Sequence, residues 1–263
     1  MQQGDLVGRR IAITGGAGDI GAAMAHHLAG RGAHVVLLDV RPDAPDLTAY
    51  AGLPGEVRYV EVDVRDRAGL DAALADVDGL DVAIGNAGIV RSAPFLDITE
   101  DDWRDHLDVN LTGVFHLAQS AARLMVASGT AGHIILTGSW VGSVPWPEIA
   151  AYSASKAGLQ MLARSAAREL AGYGIRINVL APGIVRAGLA KRQYDTEPQY
   201  RARVGTVIPL GEMQTAEQVA EVAGFLCSPA AAYLTGTVLL ADGGCSLFQF
   251  DEPVRGAGAG LDR

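Results

Sequence analysis

The chain has 263 residues, of which 49% are hydrophobic and 19% are charged, a composition that is typical of globular proteins and argues against intrinsic disorder. The formal net charge of −9 disfavours a nucleic acid or an anionic membrane as partner, because either would require a basic face. Glycine is abundant, with 33 residues, but it follows no triplet period, which excludes a collagen-like chain.

The two cysteines, Cys227 and Cys245, form no C-x-x-C pair and no metal-ligand spacing with the six histidines. We therefore expect free thiols and no bound metal. The N-terminus lacks a cationic segment followed by an apolar one, and no apolar run approaches the roughly 18 residues of a membrane span. These features predict a cytoplasmic protein.

Short apolar runs alternate with longer amphipathic stretches along the chain. The runs predict seven strands, over residues 10–14, 34–39, 57–62, 81–84, 133–136, 175–180 and 237–240. The amphipathic stretches predict five helices. The first follows the glycine-rich segment and ends near residue 30, and the others cover residues 67–77, 99–127, 150–171 and 215–226, with N-caps at Thr99 and Thr215. This alternation is typical of a Rossmann-type, doubly wound α/β fold with a mainly parallel sheet and helices on both faces. We expect a single domain over residues 1–250 and a mobile tail over 251–263.

The first predicted strand runs directly into residues 15–21, Gly-Gly-Ala-Gly-Asp-Ile-Gly, which open the first helix. This segment contains the G-x-G-x-x-G pattern, in which glycines let backbone N–H groups approach a pyrophosphate at a helix N-terminus. Asp39 ends the second strand 18 residues after Gly21, close to the spacing of about 20 at which a carboxylate binds the ribose of NAD. The turn predicts dinucleotide binding and favours NAD, while Arg41 leaves a 2′-phosphate open.

Ser139, Tyr152 and Lys156 form a second candidate constellation. Tyr152 and Lys156 stand at positions i and i+4 of a predicted helix, so their side chains share one face. Lys156 is one of only two lysines in a chain that otherwise uses arginine. Because an ammonium is a compact point charge that a guanidinium does not replace, this choice of residue indicates a specific role.

At these residues the sequence resembles the short-chain dehydrogenase/reductase family, in its NAD-preferring branch, over nearly the whole chain. The matching residues occur in the family's order: Thr14-Gly15 with Gly21, Asp63-Val64, Asn86-Ala87-Gly88, Asn110, Ser139, Tyr152 with Lys156, Pro182-Gly183 and Asp242-Gly243-Gly244. The resemblance implies a catalytic set of Asn110, Ser139, Tyr152 and Lys156. Together with the turn, it implies cofactor contacts from Gly15, Gly18, Asp19, Ile20, Gly21, Asp39, Asp63, Val64, Asn86, Ala87, Gly88, Tyr152, Lys156, Pro182, Gly183 and Val185.

The chemistry of these groups suggests their roles. A free tyrosine has a pKa near 10, so we expect the Lys156 ammonium and a positive nicotinamide ring to lower the pKa of Tyr152. Tyr152 then takes a proton from an alcohol or gives one to a carbonyl, and Ser139 hydrogen-bonds the reacting oxygen. By resemblance, Lys156 also holds the nicotinamide ribose and Asn110 orders a proton-relay water.

The sequence departs from the family pattern at two positions. Aligned from Thr14-Gly15, the family's middle glycine falls on Asp19; we expect Gly18 to give the close approach and Asp19 to cap the helix. Ala187 stands where many members carry a threonine that contacts the nicotinamide carboxamide, and the backbone of Ile184 and Val185 is the alternative contact.

The substrate side is less defined by the sequence. Residues 186–214 form a connection long enough to predict a lid that contains helical structure. Its arginines are either solvated or bind an anionic substrate, and both interpretations stay open. We expect a pocket formed by Ser139, Trp140, Trp146 and Tyr152, with Glu148 beside them. Aromatic faces and one carboxylate favour a sugar or a polyol over a long acyl chain.

The favoured function is hydride transfer between NAD(H) and a secondary alcohol or ketone, a class that includes polyols and sugars. The alternatives are an NADPH-dependent carbonyl or 3-oxoacyl reductase and, in another class, a non-catalytic nucleotide-sensing protein. By resemblance, helices 99–127 and 150–171 and the last strand build a homotetramer or a homodimer, to which Phe248 and Phe250 are candidate contacts.

Overall fold

The computed structural model describes residues 4–43 and 45–247. Its seven strands form one parallel sheet in the order β3-β2-β1-β4-β5-β6-β7. The strands are β1 (Arg10–Thr14), β2 (His34–Asp39), β3 (Val57–Glu61), β4 (Val82–Gly85), β5 (His133–Thr137), β6 (Arg176–Pro182) and β7 (Val238–Ala241). The predicted fold class is confirmed. The predicted tail 251–263 and the candidate contacts Phe248 and Phe250 lie outside the described residues.

Eight α-helices connect or follow these strands within the described residues. They are α1 (Asp19–Gly30), α2 (Arg67–Ala75), α3 (Glu100–Leu107), α4 (Gly113–Ser128), α5 (Ala150–Leu170), α6 (Gly188–Thr196), α7 (Pro198–Val207) and α8 (Ala216–Cys227). Thr99 caps α3 and Thr215 caps α8, because each hydroxyl accepts a hydrogen bond from a first-turn N–H. The connection 186–214 contains α6 and α7.

The single helix predicted over residues 99–127 is wrong in one respect. A π-helical turn over Asp108–Thr112 separates α3 from α4. The buried side chain of Asn110, within this turn, hydrogen-bonds the backbone of Ile89. Gly113, which follows the turn, packs so closely that a Cβ atom on it would lie 2.6 Å from Val64 Cγ2. Tertiary contacts therefore set this turn, and amphipathic periodicity cannot reveal it.

Alternation along each strand divides the core between the two faces of the sheet. In β1, Ile11 and Ile13 pack with α1 and α8, whereas Ala12 packs on the opposite face with α2, α4 and α5. Burial on both faces explains why the strands read as continuous apolar runs. From β1 the sheet extends to β2 and β3 on one side, and from β4 it extends to β5, β6 and β7 on the other. The connections after β1 and β4 therefore run in opposite directions, and a crevice opens at the carboxyl ends of these two strands.

None of the helices in the described part of the chain combines the length and the apolarity that a membrane span requires.

Candidate active site

The glycine-rich turn joins β1 to α1 at the carboxyl edge of the sheet. Gly15 has φ +64°, and a Cβ atom on Gly21 would overlap the carbonyl oxygen of Gly15. A Cβ on Gly18 would instead lie 3.4 Å from the nearest protein atom, an ordinary contact. The fold therefore requires glycine at 15 and 21 but not at 18, where the missing side chain leaves room for a ligand.

The turn is braced by β4 and the loop after it. The Oγ1 atom of Thr14 accepts hydrogen bonds from the N–H groups of Asn86 and Ala87, at 3.1 and 3.2 Å. The Asn86 amide donates to the carbonyl of Gly15 at 3.2 Å. The sequence identified Thr14 only as part of the family pattern and missed this bracing role.

Asp39 is buried at the end of β2, with 9% of its surface exposed. One carboxylate oxygen accepts from the N–H of Ala17 at 3.0 Å and the other from the N–H of Arg41 at 3.3 Å. The Arg41 guanidinium donates to the carbonyl of Ala17 at 2.7 Å and lies 4.0 Å from Asp39. The carboxylate is thus oriented by the turn itself, as a ribose-binding group would be.

Asp63 follows β3 and forms a close ion pair with Arg65, at 2.6 Å. The hydrogen bonds that Asp63 accepts from the Arg65 side chain and backbone N–H, together with the positive charge of Arg65, lower the pKa of Asp63. Val64 is buried beside it, and its carbonyl is hydrogen-bonded to the His116 ring at 3.0 Å. Both residues line the same cleft as Asp39.

The catalytic candidates come together where β5 ends against α5. Ser139 follows β5, while Tyr152 and Lys156 lie on one face of α5, and the Lys156 Nζ atom is 5.5 Å from the centre of the Tyr152 ring. Lys156 donates to the carbonyl of Thr137 at 2.8 Å. Burial lowers the pKa of Lys156 to about 8.

The expected lowering of the Tyr152 pKa is not found for the chain by itself. Burial raises the pKa of Tyr152, and the Ser139 side chain opposes that rise. A lower pKa therefore requires positive charge beyond what the folded chain places beside the phenol.

Asn110 lies in the π-helical turn and is fully buried. Its side chain accepts from the N–H of Ile89 at 2.8 Å and donates to the carbonyl of Ile89 at 2.9 Å and to Ser155 Oγ at 3.2 Å. These contacts occupy the amide, so the side chain braces the loop after β4. A Cβ atom on Gly88 would lie 3.2 Å from Asn110 Oδ1, so a side chain there would crowd this amide.

Gln160 is a buried residue that sequence reasoning missed. Its amide nitrogen donates to the carbonyl of Ser139 at 3.2 Å, and its oxygen accepts from Ser143 at 3.1 Å. Gln160 stands four residues after Lys156 and eight after Tyr152 on α5, so helical spacing from the tyrosine was the available signal.

Asp19 does not cap α1, contrary to expectation. The N-cap is Gly18, and Asp19 is the first helical residue. Its carboxylate accepts instead from the backbone N–H of Gly188, at the start of α6. Pro182, Gly183, Ile184 and Val185 line the cleft after β6, and Gly183 packs so tightly that a Cβ atom would lie 2.6 Å from the carbonyl oxygen of Asp242.

The predicted pocket aromatics lie beside Ser139 and are covered by the lid. Trp140 and Trp146 meet edge to face, with ring centres 5.4 Å apart. The Arg203 guanidinium of α7 lies 5.6 Å from the Trp146 ring. Glu148 has φ +66° and accepts from Ser92 at 3.3 Å, and backbone strain of this kind is concentrated at functional sites.

One cleft of about 680 Å³ joins these parts. All the predicted site residues line it except Gly21, which packs inside the turn, and Asn110, which lies behind the loop after β4. No group of three or more histidine, cysteine or acidic side chains with metal-site geometry occurs among the residues described.

The residues of the cleft fit a nicotinamide dinucleotide. The first turn of α1 offers N–H groups without intrahelical acceptors, and the Gly18 N-cap has no side chain to occupy them. Asp39 can accept from ribose hydroxyls, and Lys156 and Tyr152 lie at the opposite end of the cleft. An elongated cofactor with a pyrophosphate centre matches this order of groups.

Comparison with known proteins identifies the family. The sequence model described as enoyl-(acyl carrier protein) reductase matches residues 15–246. The 3beta-hydroxysteroid dehydrogenase 1 of Eggerthella lenta is 35% identical, over 94% of this chain and 98% of that protein. The cis-4-hydroxycyclohexanecarboxylate dehydrogenase of Sinomonas cyclohexanicum is 38% identical, over 92% of this chain and 98% of that protein.

Solved structures agree with this result. A short-chain type dehydrogenase/reductase from Mycobacterium marinum has a TM-score of 0.87 at 34% identity, covering 93% of this chain and 98% of that one. An Agrobacterium tumefaciens protein, provisionally assigned as a 2-deoxy-d-gluconate 3-dehydrogenase and solved with bound NADP, has a TM-score of 0.86 at 31% identity, covering 93% and 99%. The chain belongs to the short-chain dehydrogenase/reductase family and is an oxidoreductase that acts on CH–OH groups with a nicotinamide cofactor.

Proposed function

We propose that this protein is an NAD-dependent dehydrogenase of secondary alcohols, with Tyr152 as the catalytic acid–base. The observation that carries the proposal is the convergence of Ser139, Tyr152 and Lys156 at one end of a cleft whose other end holds Asp39. The cleft thereby offers a proton-transfer group at one end and a ribose-binding carboxylate at the other.

The side chains define the proton chemistry. Tyr152 Oη takes the proton of a substrate hydroxyl in oxidation and returns it to a carbonyl in reduction. Ser139 Oγ hydrogen-bonds the same oxygen and stabilises its developing charge, while Gln160 holds the Ser139 backbone in place. The Lys156 ammonium, buried against the Thr137 carbonyl, supplies positive charge near the phenol. The nicotinamide ring, when bound, accepts or returns the hydride.

We propose NAD as the cofactor because Asp39, whose carboxylate is oriented by the N–H groups of Ala17 and Arg41, would accept from ribose hydroxyls and repel a 2′-phosphate. The test is the ratio of kcat/KM for NAD to that for NADP. We expect Asp39→Ser to move the ratio toward NADP by tenfold or more, since it removes the repulsion and leaves Arg41 in place. A wild-type preference for NADP would contradict the assignment and favour the carbonyl or 3-oxoacyl reductase.

We propose a compact cyclic or polyhydroxylated alcohol as the substrate. Trp140 and Trp146 provide an aromatic wall, and Glu148 provides a hydrogen-bond acceptor for hydroxyl groups. Relatives that are named for a hydroxycyclohexane acid and for a sugar acid support this choice. Arg203 lines the pocket and has no carboxylate within 4 Å among the described residues, so it is available to a carboxylate on such a substrate.

The decisive experiment is a panel of secondary alcohols with NAD and of ketones with NADH, read from the absorbance of the reduced nicotinamide. Tyr152→Phe is expected to lower kcat by about 10²- to 10⁴-fold, because it removes the proton-transfer group, while NADH still binds. Tyr173→Phe, an exposed tyrosine beyond the end of α5, is the matched control and should retain full activity. Full turnover by Tyr152→Phe would refute the mechanism, and NADH binding with no turnover of any compound would favour a nucleotide sensor.

We also propose that the protein assembles as a homotetramer, with a homodimer as the alternative. Phe115 on α4 and Met161 on α5 are large apolar residues that are 38% and 59% exposed. Their helices are those that the family resemblance assigns to subunit contacts.

A further inference from the structure

One hydrogen bond joins the glycine-rich turn to the lid. The Oδ2 atom of Asp19 accepts from the backbone N–H of Gly188 at 3.1 Å, across 169 positions of sequence. Asp19 is the first residue of α1, and Gly188 is the first residue of α6. The carboxylate therefore lies where the N-terminal ends of two helices meet at the cleft.

Helix α6 begins without a capping side chain of its own. Its N-cap, Ala187, has the extended backbone that N-cap residues adopt, at φ −145° and ψ 158°, but its methyl group accepts no hydrogen bond. The first N–H groups of a helix lack intrahelical acceptors, and negative charge at that end is favourable. Asp19 supplies both the acceptor and the charge from a distant part of the chain.

This contact fastens the N-terminal end of α6. Farther along the helix, Ala190 and Tyr194 pack partly buried against the cluster around Trp140, and Arg201 donates to the carbonyls of Tyr194 and Asp195. No residue of α6 is buried.

Before α6, the chain is fastened to Gln214, whose backbone accepts from Arg186 at 2.8 Å and donates to Ile184 at 3.0 Å. The bond from Asp19 to Gly188 is the next attachment, at the point where the lid leaves the body of the protein.

We propose that Asp19 is a positioning residue that caps α6 and fixes the lid over the substrate pocket. The two departures from the family pattern, Asp19 and Ala187, meet at this one place. The lid helix that lacks a threonine at its N-cap is capped by a carboxylate from the glycine-rich turn. Asp19 thus acts on substrate binding through α6.

Three variants separate this role from simple repulsion of the cofactor. Asp19→Gly removes the acceptor and the charge, whereas Asp19→Asn removes the charge and keeps an oxygen that can accept from Gly188. Asp19→Gly combined with Ala187→Thr removes the distant cap and provides a local one, because threonine is favoured at N-caps.

The first readout is trypsin cleavage after Lys191 and Arg192, which are exposed in α6. We expect Asp19→Gly to speed this cleavage by about fivefold, the effect of losing one helix cap, and Asp19→Asn to stay within about twofold of wild type. Cleavage after Arg104 on α3 should be equal in all forms and controls for global unfolding. Equal cleavage of α6 in wild type and Asp19→Gly, or no recovery in the double variant, would overturn the proposal.

The second readout is kinetic and rests on the proposed dehydrogenase function. With NAD held saturating, Asp19→Gly should raise the substrate KM by about fivefold, and Asp19→Asn should raise it less. If Asp19→Asn and Asp19→Gly instead tighten NAD binding equally and leave the substrate KM unchanged, the carboxylate acts on the cofactor and the proposal is wrong. Because the cleavage assay requires no turnover, failure of the proposed function and failure of the cap are distinguishable.

Discussion

At the scale of single residues, burial shifts the pKa values of the two proposed catalytic groups, Lys156 and Tyr152. Lys156 is 3% exposed, and its ammonium donates a hydrogen bond to the Thr137 carbonyl. Removing the ammonium from water disfavours its charged form, which lowers the pKa of Lys156 to about 8. The same burial raises the pKa of Tyr152. The site therefore holds the charge on Lys156 at a cost in folding stability.

This cost predicts how stability depends on pH. Because the pKa of Lys156 is 10.5 when unfolded and about 8 when folded, the unfolded chain binds more protons between these values, so stability rises with pH across that range. Lys156→Met lacks this titration. We therefore expect its unfolding free energy, measured relative to that of wild type, to be about 3 kcal/mol higher at pH 7 than at pH 10.5, at 1.36 kcal/mol per pKa unit. The packing of the side chain in each form is independent of pH and cancels in this comparison, whereas the hydrogen bond to Thr137 belongs to the titrating group and is included in its folded pKa.

Urea unfolding of both forms from pH 7 to pH 10.5 measures the effect. The difference in unfolding free energy should be constant below pH 8 and should shift in favour of wild type above it. A difference that does not change with pH would show that Lys156 titrates normally.

At the scale of elements, neighbouring glycines of one turn have different tasks. Gly21 packs against the carbonyl of Gly15, whereas Gly18 has ordinary space around it. We infer that Gly21 serves the packing of helix on turn, and we propose that Gly18 serves the cofactor. The G-x-G-x-x-G pattern does not distinguish these two roles, because it contains both residues simply as glycine.

Paired alanine substitutions test this division. Gly21→Ala should destabilise the protein by about 3 kcal/mol, because its Cβ overlaps backbone that cannot move freely. The unfolding free energy of Gly18→Ala should lie within about 1 kcal/mol of the wild-type value, but this variant should bind NADH at least about tenfold more weakly. Thermal unfolding and NADH titration by fluorescence separate the two outcomes, and normal NADH affinity in Gly18→Ala would remove Gly18 from the cofactor site.

At the scale of the whole molecule, one edge of a parallel sheet collects the functional groups. The strand order places the carboxyl ends of β1 and β4 side by side, and the loops that follow β1 to β6 line the same cleft. The lid then covers the substrate end with α6 and α7. We propose that residues 1–250 form one domain around this cleft.

The proposed assembly is tested on the same scale. Sedimentation velocity should give four times the mass of one chain, and Phe115→Glu with Met161→Glu should dissociate the particle, because charges would be buried without partners in the contact between α4 and α5 of neighbouring copies. Val7→Glu, a change at another exposed apolar residue, is the control. A monomeric wild type would contradict the assembly.

The sequence by itself determined the sheet, its covering helices and the residue types of the site. Short continuous apolar runs, a glycine-rich turn and the i, i+4 spacing of Tyr152 and Lys156 are local signals, so the sequence alone reveals them. Only the tertiary structure showed the π-helical turn, the hydrogen bond from Gln160 to the Ser139 carbonyl and the hydrogen bond from Gly188 to Asp19. These contacts join segments that are distant in sequence, and their geometry depends on packing that no local pattern records.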